Sequence, residues 1–151
     1  KLKIVGDGPL RNQLEAYKEQ HGVTNIEFLG YKSGQELMDL KKNAYFVVVP
    51  SECYENNPMA IIESYCEGVP AIGSRIGGIP EIINDGKTGY IFEPHNTTEL
   101  TEKIAKASDL SAEVYQQMSD NAISFAHKDM SKESYYKRLL PFYEQLLNNK
   151  K

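Results

Sequence analysis

The chain has 151 residues, of which 40% are hydrophobic and 25% are charged, and its formal net charge is −4. These values are typical of a globular domain with a sizeable core, and the negative charge argues against nucleic acid as a main partner. No apolar stretch reaches the roughly 18 residues that a membrane-spanning helix needs. The two cysteines, Cys53 and Cys66, have neither C-x-x-C nor metal-ligand spacing, so we expect free thiols in a reducing, cytoplasmic compartment.

Apolar runs and helix patterns alternate along the first two thirds of the chain. Five short apolar runs predict strands at residues 2–5, 26–29, 45–49, 70–74 and 88–92. Helix patterns follow the first four runs and open at Pro9, Ser33, Pro58 and Glu81. The run Tyr45–Val49 is uninterrupted, which is typical of a strand buried on both faces of a parallel sheet. The alternation predicts an α/β fold, a Rossmann-like parallel sheet with helices on both faces.

The remainder of the chain, after Pro94, is predicted to be helical. Residues 97–151 are expected to be an all-helical C-terminal portion of one domain that spans 1–151. The expected caps of its three helices are, in order, Thr97 or Thr98, Ser111 and Ser131. Because the chain opens at Lys1 directly on a strand pattern, we expect a piece of a larger protein, truncated at its N-terminus.

The junction between the third strand and the helix after it is the strongest candidate site. A helix that opens at Pro58 directs unpaired backbone N–H groups at one point, which suits an anion such as a diphosphate. Glu55 follows the carboxyl end of a central strand, where open α/β sheets bind ligands, and Asn56 and Asn57 tolerate the backbone angles of a tight loop. The arrangement predicts a sugar nucleotide, with its phosphates at the helix end and its sugars on Glu55 and Glu63.

Helical spacing predicts a buried stripe on this helix formed by Met59, Ile62 and Cys66, with Glu63 beside it. An ionised carboxylate near a core face is costly unless it has a partner. A ribose diol, which can donate two hydrogen bonds to one carboxylate, would meet that need. The alternative is that Glu63 caps the N–H groups of a neighbouring loop or pairs with a lysine.

Other motifs carry less functional information. Gly6-Asp7-Gly8 resembles the start of a dinucleotide fingerprint, but Arg11 stands at the third glycine position, so the motif predicts a strand-to-helix turn. Gly77-Gly78 predicts a close backbone approach, either to a ligand or to the neighbouring helix. The three histidines lack metal-ligand spacing, and G-x-S-x-G, H-E-x-x-H and P-loop motifs do not occur. We therefore expect no metal site and no general acid–base residue within this chain.

Seven motifs in series closely resemble the C-terminal half of the family 4 retaining glycosyltransferases, over about residues 1 to 95. They are Gly6-Asp7-Gly8-Pro9, Phe28-Leu29-Gly30-Tyr31, Val49-Pro50-Ser51, Glu55 to Glu63, Glu67-Gly68-Val69-Pro70, Gly77-Gly78-Ile79-Pro80-Glu81 and Asp85-Gly86-Lys87-Thr88-Gly89-Tyr90. The resemblance implies the GT-B fold, in which two Rossmann-like domains face each other across a cleft. It also implies that this chain is the C-terminal domain, which binds the sugar nucleotide.

The resemblance assigns roles to individual residues. Glu55 would match the first glutamate of the family's two-glutamate motif and be the catalytic-site residue that contacts the transferred sugar. Glu63 would match the second glutamate and hold the ribose hydroxyls. Backbone amides around Asn57, Met59 and Ala60 would meet the sugar and the diphosphate. The nucleotide-sugar-binding residues implied in this way are Glu63, Asn56, Asn57, Pro58, Met59, Ala60, Gly6, Gly30, Tyr31 and Leu37. Among these, Gly30, Tyr31 and Leu37 would line the pocket for the base.

Two departures from the family pattern bear on activity. Asn56-Asn57 stand where the family has a small or aromatic residue followed by glycine, which affects how the loop approaches the sugar. The Arg and Lys that grip the phosphates lie upstream of the family's Gly-Asp-Gly-Pro segment, and the acceptor site and catalytic His belong to the N-terminal domain. We therefore expect the isolated chain to be inactive.

The function implied by the resemblance is transfer of a hexosyl unit from a nucleoside-diphosphate sugar to a glycan or lipid acceptor, without a metal or other cofactor. Cell-envelope polysaccharide, capsule or glycolipid synthesis is the expected setting, in the cytoplasm or peripherally on the inner face of the membrane. Two alternatives stay open: an epimerase or phosphorylase of the same architecture, and a non-catalytic partner-binding module. A receiver-like module would need an acidic cluster at the ends of the first and third strands, where only Asp7 and Pro50-Ser51 stand.

Overall fold

A computed structural model describes residues 1–149 of the protein. The strands are β1 (Leu2–Val5), β2 (Ile26–Gly30), β3 (Val47–Val49), β4 (Ala71–Ser74) and β5 (Gly89–Phe92). The helices are α1 (Arg11–Gln20), α2 (Gly34–Lys42), α3 (Met59–Cys66), α4 (Ile79–Ile82), α5 (Thr97–Ser108), α6 (Ala112–Lys128) and α7 (Lys132–Asn148). Strands and helices alternate as the sequence predicts, up to β5.

The strands belong to two compact units, Lys1–Leu40 and Lys41–Lys151, each with its own parallel sheet. In the first unit β1 pairs with β2, and Leu2 lies opposite Ile26. In the second unit the strand order is β3-β4-β5, and Ala71 lies between Val47 and Gly89. Parallel strands joined through helices confirm the predicted α/β, Rossmann-like fold.

The core of the second unit covers both faces of its sheet. Successive residues of a strand point to opposite faces, so Ala71 and Ile72 enter different clusters. The cluster on one face contains Ile61 and Tyr65 from α3, Ala71, Ile79, Ile82, Ile83, Ile91, and Ala122 and Ala126 from α6. The cluster on the other face contains Ile72, Tyr90, Phe92, Ala107 from α5, and Met118. Helices on both faces are therefore confirmed for this sheet.

Helix α1 begins later than the sequence predicts. Pro9 lies in a turn, and the helix starts at Arg11. The predicted caps Ser111 and Ser131 are confirmed, because each hydroxyl accepts a hydrogen bond from the backbone N–H three residues later, at 3.3 Å and 3.2 Å. These bonds fix where α6 and α7 begin.

The predicted cap of α5, Thr97 or Thr98, is wrong. The cap is Asn96, whose Oδ1 accepts a hydrogen bond from the Glu99 N–H at 3.0 Å. Asparagine is at least as good an N-cap as threonine, and its use places both threonines inside the first turn.

The third strand is shorter and less buried than the prediction for Tyr45–Val49. It spans Val47–Val49, is half-buried, and lies at one edge of the sheet of the second unit. Tyr45 precedes the strand and is 47% exposed. Its ring stacks on Tyr115 with centroids 4.2 Å apart, and the Tyr115 hydroxyl donates to the Tyr45 carbonyl at 3.0 Å. The aromatic residue thus packs against α6 instead of extending the strand.

The last helix, α7, has no buried residue. Its exposed large apolar side chains are Tyr135, Tyr136, Leu140, Phe142, Tyr143, Leu146 and Leu147. Across residues 1–149, none of the helices is both long enough and apolar enough to cross a membrane.

Candidate functional site

Loops that follow the three parallel strands of the second unit meet at the carboxyl edge of the sheet. The Gly78 N–H, after β4, donates to the Glu55 carbonyl in the loop after β3 at 2.6 Å. Arg75, directly after β4, forms an ion pair with Glu93, directly after β5, with Nε and Oε1 2.6 Å apart. This edge is where open α/β sheets bind ligands.

Glu55 is held by a chain of hydrogen bonds that starts in the core. Ser74 is fully buried at the end of β4, and its hydroxyl donates to the Ser51 carbonyl at 2.6 Å. The Ser51 hydroxyl in turn donates to Glu55 Oε1 at 3.0 Å, and Glu55 itself is half-buried. Sequence reasoning did not assign a role to Ser51 or Ser74. The available signal for Ser51 was its place two residues after the end of the third strand.

Gly77 and Gly78 pack against the backbone of the Glu55 loop. A Cβ atom on Gly77 would overlap the Glu55 carbonyl oxygen and nitrogen, and one on Gly78 would overlap the Asn56 carbonyl. Gly77 also has φ of +55°, a left-handed conformation that favours glycine. The predicted close approach is confirmed, and its partner is the Glu55–Asn56 backbone rather than the neighbouring helix. The position of Glu55 therefore depends on the β4–α4 turn.

The start of α3 presents backbone N–H groups that no side chain caps. Pro58 is the N-cap residue, in an extended conformation with φ −68° and ψ 91°. Met59 and Ala60 form the start of the helix, and the Met59 side chain is 53% exposed. Asn57, just before, has its Nδ2 3.9 Å from the Met59 sulfur. An uncapped helix N-terminus carries partial positive charge and can bind an anion.

An open pocket of about 320 Å³ adjoins the start of α3. Its lining residues are Asn57, Met59, Ile62, Met130, Ser131, Lys132, Tyr135, Tyr136 and Arg138. The two cations and two tyrosines come from the first turns of α7. The pocket therefore lies next to the start of α3, and two cations are among its lining residues.

The predicted buried stripe of α3 is wrong. The predicted residues were Met59, Ile62 and Cys66, of which Met59 and Cys66 are exposed. The buried residues of this helix are Ile61, Ser64 and Tyr65. This face also satisfies helical spacing, and the hydroxyl of Ser64 can be buried because it donates to the Ile61 carbonyl at 2.8 Å. Glu63 accordingly lies away from the core, contrary to the prediction.

Glu63 forms an ion pair with Lys41, near the C-terminal end of α2. This is one of the two alternatives to ribose binding that the sequence left open. The Glu63 side chain is 53% exposed, whereas that of Lys41 is only 13% exposed. Lys41 contacts Oε2, and Glu63 has no other hydrogen-bond partner among residues 1–149. A carboxylate can accept about four hydrogen bonds, so Glu63 retains capacity for a ligand.

The remaining predicted site residues lie in the first unit. The Gly6 N–H donates to the Gly30 carbonyl at 2.8 Å, so the ends of β1 and β2 bring these two glycines together. Tyr31 follows and is 76% exposed, and Leu37 is half-buried on α2. Arg11, at the third position of the glycine motif, has its Nη1 3.0 Å from where a Cβ on Gly30 would lie.

Two of the three histidines, His95 and His21, have a polar group close to the ring nitrogen Nδ1. His95 Nδ1 lies 3.0 Å from Glu52 Oε1, and His21 Nδ1 lies 2.9 Å from the Tyr17 carbonyl. Within the part of the chain that the structure describes, no three or more His, Cys, Asp or Glu side chains are grouped as metal ligands.

The sequence is similar to curated glycosyltransferases over most of its length. It is 32% identical to an uncharacterized glycosyltransferase of Methanocaldococcus jannaschii, over 84% of this chain and 36% of that protein. It is 29% identical to the N-acetyl-α-D-glucosaminyl L-malate synthase of Bacillus anthracis, over 100% of this chain and 39% of that enzyme. The chain thus spans less than two fifths of the length of either relative.

The fold is similar to that of solved GT-B glycosyltransferases. A protein of Anabaena, solved in complex with UDP-glucose, matches 95% of this chain and 40% of its own, with a TM-score of 0.79 and 20% identity. The profile of the family described as glycosyl transferases group 1 matches residues 1–125, well over half of the sequence. The chain therefore belongs to the group 1 glycosyl transferases.

Proposed function

We propose that this chain is the donor-binding half of a family 4 retaining glycosyltransferase. The enzyme would transfer a hexosyl unit from a nucleoside-diphosphate sugar to a glycan or lipid acceptor, without a metal or other cofactor. The observation that carries the proposal is the loop after β3, in which Glu55 is held in place just ahead of the uncapped start of α3. An acid for the sugar and an anion site for the phosphates thus lie on one short segment.

Different residues of the loop after β3 and of α3 would bind different parts of the donor. The N–H groups at Met59 and Ala60, after the Pro58 cap, would bind the diphosphate, and Glu55 would contact the transferred sugar. Negative charge grows on the diphosphate as it leaves, so the helix end and the cations of the adjoining pocket would stabilise the transition state. Glu63 would accept hydrogen bonds from the ribose hydroxyls.

Other residues would support these contacts within their own units. Asn56 and Asn57 would shape the approach of the loop to the sugar. In the first unit, Gly6, Gly30, Tyr31 and Leu37 would contact the nucleotide. The UDP-glucose complex of the Anabaena protein and the N-acetyl-α-D-glucosaminyl group in the name of the Bacillus relative support a nucleotide-sugar donor.

The acceptor would be bound by an N-terminal domain outside this chain, which is why we expect the isolated chain to be inactive. Donor binding by this chain and acceptor binding by another domain would agree with the fact that the chain spans 36% and 39% of the length of its two relatives. We place the enzyme in cell-envelope polysaccharide, capsule or glycolipid synthesis, in the cytoplasm or peripherally on the membrane.

The test is a thermal-shift panel of UDP-, GDP- and ADP-glucose on the full natural chain that contains these residues. A ligand that binds only the folded state raises the unfolding midpoint, so at least one donor should raise it. Product analysis with that donor should give a glycoside that keeps the donor's anomeric configuration. An inverted product contradicts the retaining mechanism, an epimerised sugar nucleotide or a sugar phosphate contradicts the transferase, and no shift from any donor contradicts donor binding.

A further inference from the structure

Lys41 is a nearly buried cation with a single acidic partner among residues 1–149. Its side chain is 13% exposed, and its ammonium group contacts Glu63 Oε2 on α3. Withdrawing an ammonium group from water is costly unless a counter-charge compensates it. The adjacent pair differs, since Lys42 is 68% exposed and its Nζ lies 4.0 Å from Glu67 Oε2. Surface pairs of that kind contribute little to stability.

The contact restrains the Glu63 carboxylate without using up its acceptors. A glutamate on a helix surface has three rotatable bonds, and ordering it on ligand binding costs conformational entropy. Because Lys41 engages Oε2, the carboxylate is held in one orientation before a ligand arrives. Oε1 has no hydrogen-bond partner in the described part of the chain, so it can accept a hydroxyl.

The same contact reduces an electrostatic conflict in the proposed donor site. A diphosphate is anionic, and an unpaired carboxylate on the helix whose N-terminus binds it would repel it. In a partly buried site such repulsion is screened less than in water. Lys41 offsets the charge of Glu63, so the carboxylate can bind ribose without opposing the phosphates.

We propose that Lys41 is a positioning residue for donor binding: it orients the Glu63 carboxylate and neutralises its charge, so that the ribose diol binds beside the diphosphate. This inference rests on the proposed function. A purely structural ion pair between Lys41 and Glu63 would affect stability alone. In the proposed role, Lys41 also affects the preference of the protein for ribose over 2′-deoxyribose.

The test uses the full natural chain and whichever of UDP, GDP and ADP binds most tightly, together with the 2′-deoxy form of that nucleotide. Dissociation constants are measured by calorimetry for the wild type, Lys41→Met, Lys41→Arg, Lys42→Met and Glu63→Ala. We expect Lys41→Met to weaken ribonucleotide binding about tenfold and to lose most of the preference over the 2′-deoxy form. Lys41→Arg should restore both, and Lys42→Met should match the wild type.

A double variant separates positioning from loss of structure. If Lys41 acts through Glu63, adding Lys41→Met to Glu63→Ala should cause no further loss of affinity. A wild-type affinity and preference in Lys41→Met, or additive losses in the double variant, would overturn the inference while leaving the proposed function intact. If Glu63→Ala itself binds both nucleotides like the wild type, the ribose role of Glu63 fails, and the inference fails with it.

Discussion

At the scale of single residues, a substitution at Gly78 tests one close contact of the candidate site separately from any backbone strain. Its φ of −81° and ψ of −5° are readily adopted by alanine, so a substitution there brings no backbone strain. A Cβ would nevertheless overlap the Asn56 carbonyl oxygen. Any effect of an added methyl group must therefore come from pushing the Glu55–Asn56 segment away.

We expect Gly78→Ala to lower the free energy of unfolding by about 1–3 kcal/mol, the usual range for overpacking, and to weaken donor binding. Urea denaturation and calorimetry with the donor check the two effects. Gly8→Ala is the matched control, because a Cβ on Gly8 meets nothing within 4 Å and its φ is not left-handed. A Gly78→Ala protein that is as stable as wild type and binds the donor equally well would contradict the contact.

Tyr65 makes the stability of the second unit sensitive to alkaline pH. Its ring is fully buried, its hydroxyl donates to Thr88 Oγ1 at 2.9 Å, and burial raises the pKa of Tyr65 above its ordinary value. The folded state therefore keeps the phenol neutral at pH values where the unfolded state ionises. The stability from this group is complete below about pH 10 and is lost as pH rises above it.

We expect Tyr65→Phe to cost about 1 kcal/mol at neutral pH, because one buried hydrogen bond is lost while Thr88 still accepts from the Asn84 N–H at 2.9 Å. Above about pH 10 the wild type should lose up to about 1.4 kcal/mol per pH unit more than the variant. Urea midpoints across pH 8 to 11 measure this difference. Equal slopes of unfolding free energy against pH for Tyr65→Phe and the wild type would refute the argument.

At the scale of elements, the Glu55 loop connects the end of β3 to the start of α3. Helix α3 ends at Cys66, and Gly68 lies two residues beyond its end with φ of +73°. The Gly68 N–H donates to the Tyr65 carbonyl, and the Val69 N–H donates to the Ser64 carbonyl. This is a Schellman termination, which returns the chain sharply to β4. The short helix is thus defined at both ends by backbone geometry.

The cap of α5 gives a test at the same scale. Asn96→Ala removes the side chain that accepts the Glu99 N–H, and we expect it to cost about 1 kcal/mol of unfolding free energy. Thr97→Ala is the control, since Thr97 lies inside the first turn and should change stability by less than about 0.5 kcal/mol. Thermal unfolding of both variants measures the difference. A larger loss for Thr97→Ala would restore threonine as the cap.

Element identities were predictable from sequence because apolar runs and helical spacing are local signals. The bounds were less so: Tyr45 and Phe46 continue the apolar run of β3, but Tyr45 packs on the ring of Tyr115, seventy positions away. The buried face of α3 was missed because burial of a serine requires knowing that its hydroxyl bonds to its own helix. The cap of α5 was predicted wrongly because Asn96, Thr97 and Thr98 are adjacent and are all good N-cap residues.

At the scale of the whole molecule, alternating strands and helices predicted the parallel sheets, and they predicted that the Glu55 loop follows the carboxyl end of a strand. The acid of the loop and the helix start could be predicted because they are adjacent in sequence. Three contacts could not be predicted, because the two residues in each are about twenty positions apart along the chain. They are the hydrogen bonds from Gly78 to Glu55 and from Ser74 to Ser51, and the ion pair between Lys41 and Glu63. The sequence suggested that a lysine could pair with Glu63 but not which one.

For the proposed donor site, the contacts between the Glu55 loop and the β4–α4 turn would also limit how donor preference could be redesigned. A directed-evolution library that randomises residues 55–57 alone would vary one side of a backbone contact while holding residues 77–78, the other side, constant. Selection would then act mainly on whether the randomised loop still packs against the β4–α4 turn, and only secondarily on which sugar the variant accepts. Randomising both segments together would separate these two effects, and sugar specificity could then be selected directly.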